Sequence, residues 1–169
     1  MKLVFRLSQG LYHEIQKDLS RTHPVAAERV GFLACGIATL DRGGLLLLAD
    51  TYHPVADSHY VNDPRAGATI NAEAIRAALQ IAYRQKVSMF HIHRHEHYGR
   101  PQFSAIDLRE SARLTPDFFK VRVEMPHGVI VLSHDGARGL CWLPGQKSPL
   151  PINDFTVVGS QVPGLRAIA

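Results

Sequence analysis

Residues 2–7 alternate apolar and polar side chains, with Leu3, Phe5 and Leu7 on one face, which predicts a β-strand. Ser8 is placed to cap a following helix, whose apolar positions Leu11, Ile15 and Leu19 recur at helical spacing, and His23-Pro24 stops it. Two apolar-rich runs, 29–40 and 45–55, are joined by Asp41-Arg42-Gly43-Gly44, the pattern of a β-hairpin. Residues 57–67 are polar and contain Pro64 and Gly67; an ordered loop over a surface cleft is expected there. The clearest helix spans 71–85, with Ile70, Ala74, Ile75, Ala78, Leu79 and Ala82 as its apolar stripe and Thr69 or Asn71 as its cap. A short strand, 87–93, runs straight into a histidine cluster, and a loop with Gly99 and Pro101 follows over 95–103. The next helix, 104–114, opens on Ser104 and ends at Thr115-Pro116. Strands are then expected over 119–124, 129–133 and 139–143, with a turn at His134-Asp135-Gly136. Residues 144–151 form a proline-rich connector, 155–158 an edge strand, and 163–169 a terminus that frays or docks weakly.

This order of elements, with its hairpins, argues for an α/β sandwich with a mixed, mainly antiparallel sheet flanked by helices, rather than a doubly wound parallel sheet. The length, 169 residues, suits one domain over 1–145, with a C-terminal extension over 146–169 that can add an edge strand. An apolar content of 46% supplies a core. The net charge of +4 is spread along the chain, with no Lys/Arg run and no aromatic residues interleaved with basic ones, which argues against nucleic-acid binding. No apolar run approaches the roughly 18 residues of a membrane span. The N-terminus shows no long apolar stretch of a signal peptide, so a cytoplasmic protein is expected. Cys35 and Cys141 lie in apolar, strand-like runs outside any C-x-x-C pair and read as buried thiols of a reducing compartment. The histidines change this picture: there are ten, and His91, His93, His95 and His97 alternate along one short stretch.

Residues i and i+2 on a strand face the same way, so His91 and His93 can aim two imidazoles at one point. That suits a metal taking nitrogen ligands, zinc above all. Asp107, one helical turn after Ser104, completes a set of three protein ligands and leaves a fourth position for water, the pattern of a catalytic site. Water activated by zinc needs a carboxylate outside the metal sphere as proton carrier, and Glu28, just before the run 29–40, is the candidate. The Ser104 hydroxyl is positioned to stabilise an oxyanion. His95 and His97 read as loop residues facing solvent or substrate, and Glu96 as a solvated charge. His53, Asp57 and His59 read as ordinary surface polar residues.

Glu28 followed by Val30-Gly31-Phe32-Leu33, the H-x-H of His91 and His93, and the S-x-x-D of Ser104 to Asp107 together resemble the JAMM signature of the JAB/MPN metalloproteases. The resemblance covers 1–143. It implies a JAB/MPN-like fold of the cytidine deaminase-like sandwich kind, with Zn2+ held by His91, His93 and Asp107, Glu28 as general acid/base, and Ser104 as oxyanion stabiliser. It also implies cleavage of an isopeptide or peptide bond after a ubiquitin-like protein, with E1-like and E2-like enzymes as companions. The spacing departs from the family's usual seven residues between the second His and the Ser. Ten residues separate His93 from Ser104, eight separate His95 from it, and the usual Pro after the second His is Arg94. The apolar strand leading into His91 and His93 favours that pair, and the pair His93 and His95 stays open. Two other functions remain on the same motif: a non-catalytic scaffold, and a zinc amidohydrolase acting on another carrier or a small-molecule amide.

Overall fold

The computed structural model describes residues 1–41 and 43–159; Arg42 of the hairpin turn and the terminus expected to fray, 163–169, lie outside them. Strand β1 (Leu3–Ser8) leads into helix α1 (Gln9–Leu19), with the Ser8 hydroxyl accepting the Leu11 N–H as its cap. The hairpin β2 (Val30–Leu40) and β3 (Gly44–Pro54) follows, then a 3-10 turn Asp57–His59 and helix α2 (Ala72–Gln85), capped by the Asn71 side chain. Strand β4 (Ser88–Arg94), helix α3 (Ala105–Val121), β5 (His127–Leu132) and β6 (Ala137–Trp142) complete the centre. Short strands β7 (Leu150–Pro151) and β8 (Asp154–Val158) come last. The eight strands form one sheet in the order β7-β6-β5-β4-β2-β3-β1-β8. The pairs β2–β3, β2–β4, β5–β6 and β6–β7 are antiparallel, whereas β1–β3, β1–β8 and β4–β5 are parallel. The fold class is therefore mixed α/β.

Alternation along the strands sorts their side chains onto two cores. Leu33, Cys35, Phe90 and Ile92 point to the face that buries Leu11, Ile15 and Leu19 of α1. Val30, Phe32, Ala34 and Met89 point to the other, where α2 brings Ala74, Ala78 and Ala82 and α3 brings Phe118. The alanine stripe lets α2 pack against β2 and β4 with little bulk between them. Strands three places apart in a flat sheet lie about 14 Å apart. Yet the rings of Phe5 on β1 and Phe90 on β4 are 5.6 Å from centre to centre, so the sheet bends toward the α1 face. Cys35 and Cys141 are free, buried thiols. No helix among the described residues is long and apolar enough to cross a membrane.

Three expectations need correction. Helix α3 does not stop at Thr115-Pro116 but continues to Val121 with Pro116 inside it. A proline there leaves the carbonyl of Ala112 without its helical donor, but Ala112 and Pro116 are exposed, so water can take that place. Burial of Thr115 and Phe118 on the opposite side favours carrying the helix on. As a result 119–124 is not a strand: it is the last helical turn and the turn after it. Within the expected connector, Leu150–Pro151 pairs with β6, and β8 lies beside β1 at the far edge, so the segment after 145 supplies both edges of the sheet. Its attachment to β1 is reciprocal: Leu3 N–H donates to Asn153 Oδ1 (2.7 Å), and Asn153 N–H donates to the Leu3 carbonyl (2.9 Å).

Buried His127 ties the end of α3 to the start of β4. Its Nδ1 accepts the Met89 N–H at 3.1 Å, which leaves the proton on Nε2, facing the Arg122 carbonyl at 3.0 Å. Burial pushes its pKa down from 6.5 to about 4, against the pull of the Arg122 carbonyl. A depressed folded pKa contributes stability that is complete above the unfolded value, near 6.5, and is lost as pH falls through about 4. That depression corresponds to roughly 3 kcal/mol between the neutral and protonated rings. The urea midpoint should therefore fall between pH 7 and pH 4 in the native chain, and fall distinctly less in His127→Gln. Parallel pH profiles for the two proteins would refute this role.

Candidate metal centre

Strand β4 ends at Arg94, but its extended course does not. The His95 N–H donates to the Leu132 carbonyl of β5 at 2.9 Å, and the His134 N–H to the His97 carbonyl at 3.0 Å. The rule that residues two apart face the same way therefore holds one step further, to His93 and His95. Arg94, pointing the opposite way and buried, fixes this stretch by donating to Gln16 Oε1 of α1 (2.9 Å) and to the Glu96 carboxylate. Glu96 reaches on to His134, whose ring packs tilted against Tyr98 with centroids 4.7 Å apart.

Asp107 is brought to the same point by the start of α3. Ser104 Oγ accepts the Asp107 N–H (3.1 Å), and Asp107 Oδ2 accepts the Ser104 N–H (2.7 Å), a reciprocal capping box. The S-x-x-D motif thus starts the helix and aims its carboxylate in one stroke. His93 Nε2 and His95 Nε2 lie 3.2 Å apart, Asp107 Oδ1 is 3.5 Å from the first, and Asp107 Oδ2 is 3.6 Å from the second. Glu28 stands across from them, with Oε1 3.8 Å from His95 Nε2. Ligand atoms of Glu28, His93 and His95 all lie within 4.8 Å of one another, and this cluster could hold a metal ion.

Of the residues expected to form the site, Glu28, His93 and Asp107 converge, and Ser104 adjoins them through Asp107. His91 does not join them, so the converging pair is His93 and His95, not His91 and His93. The His91 ring sits one repeat back along β4, edge-on to Phe32 at 5.5 Å and 5.9 Å from the His93 ring. The start of α3 reaches the end of β4, where His93 and His95 lie, rather than its middle. No protein-family model matches this chain, and no curated protein matches it.

The charges of the cluster are interdependent. Burial raises the Glu28 carboxyl above its ordinary value, opposed by His93 and His95 and supported by Asp107 and Glu96. Burial also pushes Asp107 upward, but the hydrogen bond and charge of His93, together with the Ser104 contacts, outweigh it and hold Asp107 well below the usual carboxylate range. His91 is held down to about 3, chiefly by desolvation and then by the neighbouring His93, so it is a neutral packing residue at pH 7. Asp57, read from sequence as a surface residue, is bonded to Arg29, and Gly67 lies against Glu28; nothing in the sequence around either residue signals these contacts.

Proposed function

We propose that this chain is a zinc-dependent hydrolase of the JAB/JAMM type that cuts an amide or isopeptide bond on the carboxyl side of a ubiquitin-like protein. The observation that carries the reading is the spacing of three donors. A tetrahedron's edge is about 1.63 times its centre-to-vertex length, so zinc bonds of about 2.0–2.2 Å require ligand atoms about 3.3–3.6 Å apart. His93 Nε2 and His95 Nε2 stand 3.2 Å apart, and the Asp107 carboxylate faces both, with Oδ1 3.5 Å from the first and Oδ2 3.6 Å from the second, so each contact lies close to that spacing. Two imidazoles and a carboxylate are also a donor set that zinc favours, and three protein ligands leave one position for water.

His93, His95 and Asp107 would hold the ion, and the ion when bound would bring the pKa of its water to near neutrality. Glu28, beside the ligands but not required as one, takes the proton as the attack proceeds and delivers it to the departing amine. The Ser104 Oγ already accepts the Asp107 N–H, so its own hydroxyl proton is free to be donated to the oxyanion of the tetrahedral intermediate. A ubiquitin-like protein or its conjugate is the proposed substrate, with E1-like and E2-like enzymes as partners and the cytoplasm as the place of action.

The test is metal content together with turnover. The purified protein should carry about one zinc per chain, lose it to a strong chelator, and cleave a ubiquitin-like protein bearing an amide-linked C-terminal fluorophore only when zinc is present. A well-folded protein that takes up no zinc at micromolar concentration would sink the proposal.

A further inference from the structure

We infer that Gly67 is the positioning residue for Glu28, at the end of a segment that grips the chain around the proton carrier at three successive residues. This rests on the reading of Glu28 given above and adds the part of the fold that sets where its carboxylate stands. The Glu28 N–H donates to the Gly67 carbonyl at 2.9 Å. Next in sequence, the Arg29 side chain is 2% exposed and bonds to Asp57. The third, Val30, donates its N–H to the Tyr60 hydroxyl at 2.8 Å, and that hydroxyl lies 3.2 Å from the Val30 carbonyl. Asp57, Tyr60 and Gly67 thus belong to one segment, closed on itself by the Val61 N–H to Thr69 carbonyl bond and a bridge between Tyr60 and Ile70.

The glycine is required by contact and not by conformation. Gly67 is not among the glycines with positive φ, so alanine could adopt its backbone without strain. A Cβ at this position, however, would stand 2.6 Å from Glu28 Oε2 and 2.7 Å from its Cδ. The carboxylate therefore lies directly on the Gly67 Cα. Those atoms are the free end of a flexible side chain, so an added methyl moves the carboxylate rather than the fold. A shift of about 1 Å at a reacting group costs on the order of 100-fold in rate.

The experiment compares Gly67→Ala with the native chain and with Gly10→Ala, where a methyl meets nothing within 4 Å. Crystal structures of the zinc-loaded proteins should show the Glu28 carboxylate displaced away from His95 in Gly67→Ala alone. With the fluorophore-tagged ubiquitin-like protein, kcat should fall about 100-fold in Gly67→Ala, with KM, zinc content and urea midpoint close to native. Glu28 unmoved in the Gly67→Ala crystal, or kcat unchanged, overturns the inference, as does a kcat loss that merely tracks a loss of stability or zinc. If the native protein turns over no probe, the hydrolase reading falls, and the crystal comparison alone decides whether Gly67 positions Glu28.

Discussion

His95→Ala is expected to strip the protein of zinc, and His91→Leu to leave its zinc intact. The two residues flank His93 symmetrically in sequence, and strand alternation sends all three to one side. Their surroundings separate them. His95 Nε2 stands within 3.2–3.8 Å of His93, Asp107 and Glu28, whereas His91 packs against Phe32 as a neutral ring. Loss of an outer-shell partner costs a metal site roughly 10–100-fold in affinity, and loss of a direct ligand should cost more. Leucine at 91 removes both nitrogens while retaining an apolar side chain beside Phe32. Competition against a chromophoric chelator measures both variants. Zinc retained by His95→Ala and lost by His91→Leu would transfer the centre to the other histidine pair.

Glu28→Gln should lower kcat by about 100- to 10,000-fold while zinc stays bound. Glutamine keeps the length and shape of the side chain and its contact with Gly67, and it removes the negative charge together with the capacity to accept and return a proton. Zinc content and kcat must therefore separate: His95→Ala loses both, Glu28→Gln only the second. Native-like turnover in Glu28→Gln would leave the carboxylate without a chemical role, and parallel loss of zinc would make it a ligand.

Much of the fold could be read from local pattern. The alternation of residues 2–7 and the alanine stripe of α2 each set an element whose period matches its burial, and Gly43-Gly44 marks the hairpin turn. The local rule ends helix α3 at Pro116 because it weighs a lost hydrogen bond, while the outcome depends on which way Ala112 faces and on Phe118 reaching the core. The place of β8 beside β1 depends on the reciprocal bonds of Leu3 and Asn153, which no neighbouring sequence announces. The site divides similarly. Ser104 and Asp107 carry their own geometry in a four-residue motif, and Glu28 and His93 follow from chemistry. The sequence does not single out His95, because a run of histidines at every second residue offers several equivalent pairs. The choice among them is made by the His95 bond to Leu132 and by Arg94 anchored on Gln16, both distant in sequence. Gly67 likewise shows its role only across the gap to Glu28.

The Ser104–Asp107 capping box gives one carboxylate two employments, and they come under separate selection. On the proposed hydrolase reading, a descendant of this chain that lost activity would be free to lose His93 or His95. It would still gain from keeping the Ser104–Asp107 box that begins α3, where the N-cap Ser104 alone contributes about 0.5–2 kcal/mol. The S-x-x-D motif should therefore outlive the activity in inactive lineages. The histidine pair takes no part in capping that helix, so on the same reading it is the better marker of whether a relative keeps the metal site.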